Sequence, residues 1–202
     1  MIRAVLSDMG KVLLWFDNNI FLKKLAERTG TPFAEVQAKA HFDIDLINRF
    51  DGGTIDPPAF REKILRALGA DVEAGEFFAM YNDIFRPNEP VIRLLRRVKD
   101  AGYRMALLSN TDPQRFGFVR KKFPEIMFFD AYTLSYELKL LKPGAAIFLE
   151  AARRAGCRPA ECLFIDDMEE NVRGAAAAGL RTILYRPDTD LEAELMKLGL
   201  AF

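Results

Sequence analysis

The chain has 202 residues, enough for one domain of ordinary size or for one core carrying a smaller insertion. Half of it is apolar, so a full core can form, and 29 basic residues balance 29 acidic ones. That zero balance argues against a protein whose main task is gripping nucleic acid or an anionic membrane, and it favours a small substrate.

From the N-terminus, residues 2–6 form a short apolar run of strand type, with no basic leader and long apolar stretch to mark a signal peptide. No apolar segment reaches the length needed to span a bilayer. Cys157 and Cys162 are the only cysteines, too few for a disulfide framework or a zinc cluster, and they read as reduced thiols near the core. The expected location is the cytoplasm, and the apolar content permits a monomer or a homodimer.

Residues 15–87 hold several helical patterns without a convincing buried strand. Thr31-Pro32 and Asp56-Pro57 mark helix starts there, and Gly30 and Gly69 mark stops. Further strand-like runs follow at residues 103–108, 131–134, 162–165 and 182–185, alternating with helix patterns at 89–101, 113–122, 144–155, 169–178 and 190–198. Asn88 before Glu89-Pro90 has the form of an N-cap. The pattern predicts an α/β fold: a Rossmann-like three-layer core with a mostly parallel sheet, built from residues 1–14 and 88–202. A small all-helical cap, residues 15–87, is inserted after the first strand. Phe77-Phe78 and Phe128-Phe129 read as core or seam aromatics.

In open α/β sheets, ligands bind beyond the carboxyl ends of the strands, where the strand order reverses. The polar residues ending the runs are Ser7-Asp8-Met9-Gly10, Ser109-Asn110-Thr111 and Asp166-Asp167, and Lys142-Pro143 precedes a helix. Singly each has an ordinary reading: Asp8 as a turn residue, Asp166-Asp167 as a cap for the helix near Met168, Lys142 as a solvated lysine. Together they place three carboxylates, a hydroxyl and an ammonium at one rim. Such an oxygen-only set suits Mg2+, with a phosphate completing its shell. Asp8 is then placed to attack phosphorus while Ser109 and Lys142 spread the charge on the phosphoryl oxygens.

These residues resemble the motifs of the haloacid dehalogenase superfamily of phosphatases, over nearly the whole chain. Residues 5–13 look like the first motif, 107–111 the second, Lys142-Pro143 with Ala146-Ile147-Phe148 the third, and Phe164-Ile165-Asp166-Asp167 through Asn171-Val172 the fourth. The pattern around Gly53-Thr54-Ile55 and Phe60 is similar to the cap of a branch containing bacterial sugar-phosphate phosphatases, glucose-1-phosphate phosphatases among them. The resemblance implies Asp8 as nucleophile and metal ligand, the carbonyl of Gly10 and the Asp167 carboxylate as further ligands, and Asp166 as support for metal-bound water. It implies Ser109 and Asn110 at the phosphoryl oxygens, Lys142 neutralising the phosphate and Asp8, and Asn171 holding the far side of the site. The cap closes over the substrate and reads the leaving group.

The chain departs from that pattern at residue 10, where typical members carry a second Asp that protonates the leaving group; here it is glycine. Acid help of this kind is worth about 10²- to 10⁴-fold. Some members of the sugar-phosphate branch also have glycine there. Lys11 and Lys139 bring extra positive charge where small residues or glycine are usual, and Lys11 joins the candidate substrate-binding residues. Within the cap, His41 is the sole histidine, Trp15, Phe16 and Asp17 fall at the hinge, and Arg49 with the Asp51-Gly52-Gly53-Thr54 turn forms a loop expected to reach the site.

Three functions follow. The first is a Mg2+-dependent phosphatase acting on a small phosphorylated metabolite through an aspartyl-phosphate. The second is a haloacid dehalogenase-type hydrolase, in which the Asp166-Asp167 pair has no task. The third is a binding or regulatory protein that lost turnover with the acid at position 10.

Overall fold

The computed structural model describes residues 1–39 and 44–202. A parallel five-stranded sheet forms its centre: β1 (Ala4–Ser7), β4 (Arg104–Ser109), β5 (Ala131–Leu134), β6 (Cys162–Asp166) and β7 (Arg181–Leu184), in the order β5-β4-β1-β6-β7. Ser7 stands opposite Leu107 of β4 on one side and Ile165 of β6 on the other, so the three central strands end nearly level. The chain runs outward from β1 to β4 and β5, then returns to the other side for β6 and β7. Strand order therefore reverses around β1, which opens the crevice used for ligands in such sheets.

The two-residue period of a strand sends alternate side chains to opposite faces. Ala4, Leu6, Ala106, Leu108, Cys162 and Phe164 pack on one face against Ile147, Phe148 and Ala175, which belong to α9 (Ala145–Arg154) and α10 (Glu169–Ala177). Val5, Met105, Leu107, Leu163 and Ile165 fill the other face with apolar residues of α6 (Glu89–Asp100), α7 (Pro113–Lys122) and α11 (Leu191–Lys197). This second core runs on without a break into the insertion. Both cysteines are free, with Cys162 buried.

The insertion holds α1 (Asn18–Thr29), α2 (Phe33–Lys39), α3 (Ile44–Asp51), α4 (Pro57–Leu68) and α5 (Ala74–Asn82). Asp17 caps α1 by accepting from the Asn19 amide, and Gly30 ends it at φ 67°. Asp56 caps α4 through the Ala59 amide and Gly69 ends it at φ 63°, so the start and stop signals lie where they were expected. Aromatic side chains fill the insertion: Phe50 stacks on Phe60 at 4.1 Å, and Phe60 and Phe21 meet the Tyr81 ring at 5.2 and 5.4 Å. Phe77 is fully buried here, and Phe129 is buried in the core. His41 lies outside the described residues.

Two elements differ from expectation. The insertion is tied at its base by an antiparallel pair, β2 (Leu14–Phe16) with β3 (Phe85–Pro87), where only helices were predicted. Each strand has three residues, too short to show a period, and their pairing joins segments some 70 positions apart. Asn88 sits at the start of α6 but makes no side-chain cap bond. It is buried, and its amide donates to the Val12 carbonyl at 2.8 Å and to the Tyr185 hydroxyl at 3.0 Å. Those partners hold the loop after β1 against the end of β7, a better use for a buried amide than an amide N–H that solvent could satisfy.

Candidate active site

The residues ending β1, β4 and β6 meet at the carboxyl edge of the sheet, beneath a cleft of about 680 Å³ between the core and the insertion. Its centre is an ion triad. The Lys142 ammonium, only 1% exposed, lies 2.9 Å from Asp8 Oδ1 and 2.6 Å from Asp166 Oδ2. It also approaches the Leu108 carbonyl at 3.4 Å. Lone buried charges are costly, and this arrangement surrounds a cation with oxygen on three sides. Burial acts to lower the Lys142 pKa, but the two carboxylates outweigh it and raise the pKa, so the ammonium stays charged.

Asp8 follows the last residue of β1, and its Oδ1 accepts from the Met9 amide at 2.7 Å, which fixes the carboxylate at the strand end. Burial pushes its pKa up to about 7 against the pull of Lys142, and Asp166 adds to the rise. Asp166 is wholly buried and heavily engaged. Oδ1 accepts from the Met168 amide at 2.8 Å, and the Asn171 side-chain amide donates to both carboxylate oxygens at 3.1 Å. Asn171 therefore orients Asp166. Asp167 is partly buried at the cleft edge, its carbonyl accepting from the Arg186 guanidinium. Burial and Asp166 raise its pKa, opposed by Lys11 and Lys142.

One carboxylate oxygen from each of Asp8, Asp166 and Asp167 lies within 4.8 Å of the others. Three hard donors this close, two of them with pKa values raised by burial and by the neighbouring Asp166 charge, fit a divalent cation such as Mg2+.

Asn110 faces Lys142 through two hydrogen bonds: its Nδ2 donates to the Lys142 carbonyl at 3.0 Å, and its Oδ1 accepts from the Lys142 amide at 2.9 Å. This side chain holds the lysine backbone and also lines the cleft. Ser109 is buried and lines the cleft. Thr111, next along the same loop, donates its amide to Ser135 Oγ at 2.9 Å. That hydroxyl has two acceptors in reach, the Asp51 carbonyl of the insertion at 2.6 Å and the Thr111 carbonyl at 3.1 Å.

Gly10 and Lys11 also line the cleft. A Cβ on Gly10 would lie 2.9 Å from Cε1 of Phe16. Lys11 adopts φ 53°, and its ammonium sits 5.6 Å from the centre of the Phe16 ring. Lys139 is exposed, does not line the cleft, and ends the short helix α8 (Ser135–Leu138) in the left-handed region at φ 56°, a backbone position suited to glycine. Arg49 is also absent from the cleft wall. It is exposed, within 3.9 Å of Asp45, while Ile47, Asn48 and Asp51 of α3 turn inward.

Arg115 escaped the sequence reading, and Asp51 was expected only as part of the turn that reaches the site, with Arg49 as the candidate side chain. The turn 51–54 was recognised as approaching the site, but which α3 side chain faces inward depends on how the helix docks. Arg115, in the first turn of α7, carries no motif.

The model of the haloacid dehalogenase-like hydrolases matches residues 2–179, and the chain belongs to that family. It is 27% identical to a glyceraldehyde 3-phosphate phosphatase of Methanopyrus kandleri over 92% of this chain and 84% of the relative. It is 25% identical to a sesquiterpene phosphatase of Aspergillus oryzae over 88% and 87% of the two chains. Among solved structures, a family enzyme of Bacteroides thetaiotaomicron in complex with magnesium and inorganic phosphate has a TM-score of 0.84 at 28% identity, covering 96% of this chain and 99% of its own.

Proposed function

We propose that this haloacid dehalogenase-like hydrolase is a Mg2+-dependent phosphatase that removes phosphate from a small phosphorylated metabolite through an aspartyl-phosphate on Asp8. The observation that carries the reading is the Lys142 ammonium, 2.9 Å from Asp8 and 2.6 Å from Asp166, with the Asp167 carboxylate beside them. A nucleophilic carboxylate held next to a fixed cation and two further carboxylates suits attack on a phosphoryl group. A dehalogenase attacking carbon has no use for the extra pair. The relatives' names, two phosphatases with unlike substrates, support the reaction type.

Asp8 attacks phosphorus, the bond to the leaving oxygen breaks, and that oxygen takes its proton from water. Water then attacks the same phosphorus and releases phosphate and free Asp8. Lys142 and the Ser109 hydroxyl meet the charge on the phosphoryl oxygens. Asp8, Asp167 and the Gly10 carbonyl would hold Mg2+, with Asp166 supporting its waters. When bound, the ion neutralises Asp8 and the phosphoryl oxygens together. Asn110 and Asn171 keep Lys142 and Asp166 in place.

Phosphate release from sugar, acyl and aryl phosphates, with Mg2+ or EDTA, compares wild type with Asp8→Asn. Release that requires both Mg2+ and Asp8 supports the reading. Release by Asp8→Asn at the wild-type rate would overturn it, and silence of the wild type toward all esters would favour a binding protein.

A further inference from the structure

Beyond the triad, the cleft continues between the insertion and α7, and phosphoryl transfer leaves several of its groups unused. Arg115 is the most constrained. Its side chain is 12% exposed and its guanidinium carbon lies 4.1 Å from the centre of the Tyr81 ring. Its only side-chain hydrogen bond among the described residues runs from Nη2 to Asn18 Oδ1 at 2.8 Å, and Nε has no partner. Asp112 does not fill that vacancy. Its Oδ2 stays 3.9 Å away and accepts from the Tyr81 hydroxyl at 3.0 Å, while its Oδ1 accepts from the amides of Gln114 and Arg115. A guanidinium clamped in place with donors unspent is suited to an oxygen acceptor in the cleft.

Asp51 faces the same space from the end of α3. Its backbone is anchored through the Ser135 hydroxyl at 2.6 Å, and Gly53, at φ 62°, packs so closely on Tyr136 that a Cβ there would lie 2.3 Å from the Tyr136 carbonyl oxygen. Among the described residues, no hydrogen bond holds the Asp51 carboxylate. It is an acceptor fixed by its backbone alone.

The charge around this pair limits what can bind. Asp51 and Asp112 carry two carboxylates against the single Arg115 cation, whose field reaches Asp51. Lys11 lines the same cleft from the Phe16 side, within reach of Asp167, whereas the charges that act on Asp51 are those of Asp112 and Arg115. Once Asp51 is ionised, above about pH 7, a second anion placed beside it would meet an excess of negative charge. Hydroxyl groups would donate to Asp51 and accept from Arg115, while Phe16 and Phe85, 6.0 Å apart at the cleft wall, offer aromatic faces to a carbon skeleton.

We infer that Arg115 and Asp51 read the leaving group across the seam, and that they select phosphate monoesters whose alcohol carries further hydroxyls and no second charge. This rests on the phosphatase reading and names the substrate class of the same cleft.

The test measures kcat/KM in Mg2+ for glycerol 3-phosphate, a hexose phosphate, a bisphosphate and phenyl phosphate, which has no hydroxyl. Wild type is compared with Asp51→Asn and Arg115→Lys, each checked for folding by its melting temperature. Arg115→Lys keeps the charge and loses the fork, so it separates recognition from collapse of the seam. The preference of wild type for hydroxylated esters over phenyl phosphate should fall about tenfold or more in each variant, carried mainly by KM, as loss of a hydrogen bond to a charged group predicts. Equal losses on every ester, an unchanged preference, or a wild type that favours the bisphosphate would each overturn the inference while leaving Asp8-dependent release intact. Failure of wild type to act on any ester, phenyl phosphate included, would overturn the phosphatase reading itself and this inference with it.

Discussion

Phe16 stands over Gly10 so closely that a side chain at residue 10 would begin 2.9 Å from the ring. The missing acid is thus more than a lost carboxylate, because an aromatic side chain occupies the volume that an acid would need.

Restoring the acid alone should therefore fail. Gly10→Asp is expected to destabilise the protein by about 1–3 kcal/mol through overpacking and to lower turnover. Gly10→Asp with Phe16→Ala removes the clash but also the Phe16–Phe85 contact, so it should stay less stable than wild type while hydrolysing esters with poor leaving groups faster than Gly10→Asp alone, toward the about 10²-fold end of acid catalysis. Thermal melts and rates against leaving-group pKa check both. A faster single variant with an unchanged melting temperature would contradict the steric account.

Removing the cation between Asp8 and Asp166 should be severe. Lys142→Met leaves two buried carboxylates facing each other, and losing one member of a buried ion pair costs about 3–5 kcal/mol. The variant is expected to melt well below wild type without metal, to regain part of the loss in Mg2+, and to lose activity. Melts with and without Mg2+ provide the measurement, and an unaltered melting temperature in EDTA would count against the triad.

The Asp51 carboxyl is raised from 3.8 to about 7, by burial first, with Asp112 adding and Arg115 opposing. The folded chain then holds a proton that the unfolded chain has lost between those values, so stability falls as pH rises through that window and levels off above it. Asp51→Asn should remove this slope and raise the melting temperature more at pH 8 than at pH 4. Melting curves across pH test it, and parallel profiles for the two proteins would refute it.

Gly53 has both a positive φ of 62° and backbone against it. Gly53→Ala should lift the 51–54 turn off α8, lowering stability by about 1–3 kcal/mol and raising KM more than it lowers kcat. Gly69→Ala, at a similar φ of 63° but with open space around it, is the control for strain alone. Equal effects of the two substitutions would show that the seating of the turn is unimportant.

The sheet and the triad were legible because each strand was an apolar run cut off by polar residues, and parallel strands bring such endings to one edge. Asp8, Ser109, Asp166 and Asp167 could be gathered on that ground, and Lys142 from its place just before α9. The three-residue strands β2 and β3 had no period to show, and the Asn88 amide found partners supplied only by tertiary structure. The seam was the least legible part. Arg49 and Asp51 are two positions apart on one helix, about 200° around its axis, so the docking of α3 alone decides which one faces the cleft. Arg115 had no sequence signal, since its environment is built by Tyr81 and Asn18 from two helices of the insertion, with Asp112 from its own cap.

The Ser135 hydroxyl has one proton and two acceptors, the Asp51 carbonyl at 2.6 Å and the Thr111 carbonyl at 3.1 Å. In a state that parts Asp51 from Ser135, that proton can turn to the Thr111 carbonyl, and the donor keeps a partner. Leaving a buried donor unpaired would cost about 1–3 kcal/mol, and the second acceptor spares the Ser135 hydroxyl that cost in any state that parts it from Asp51. The hydroxyl that seats the insertion thus also ties down the loop carrying Ser109, through the amide and carbonyl of Thr111.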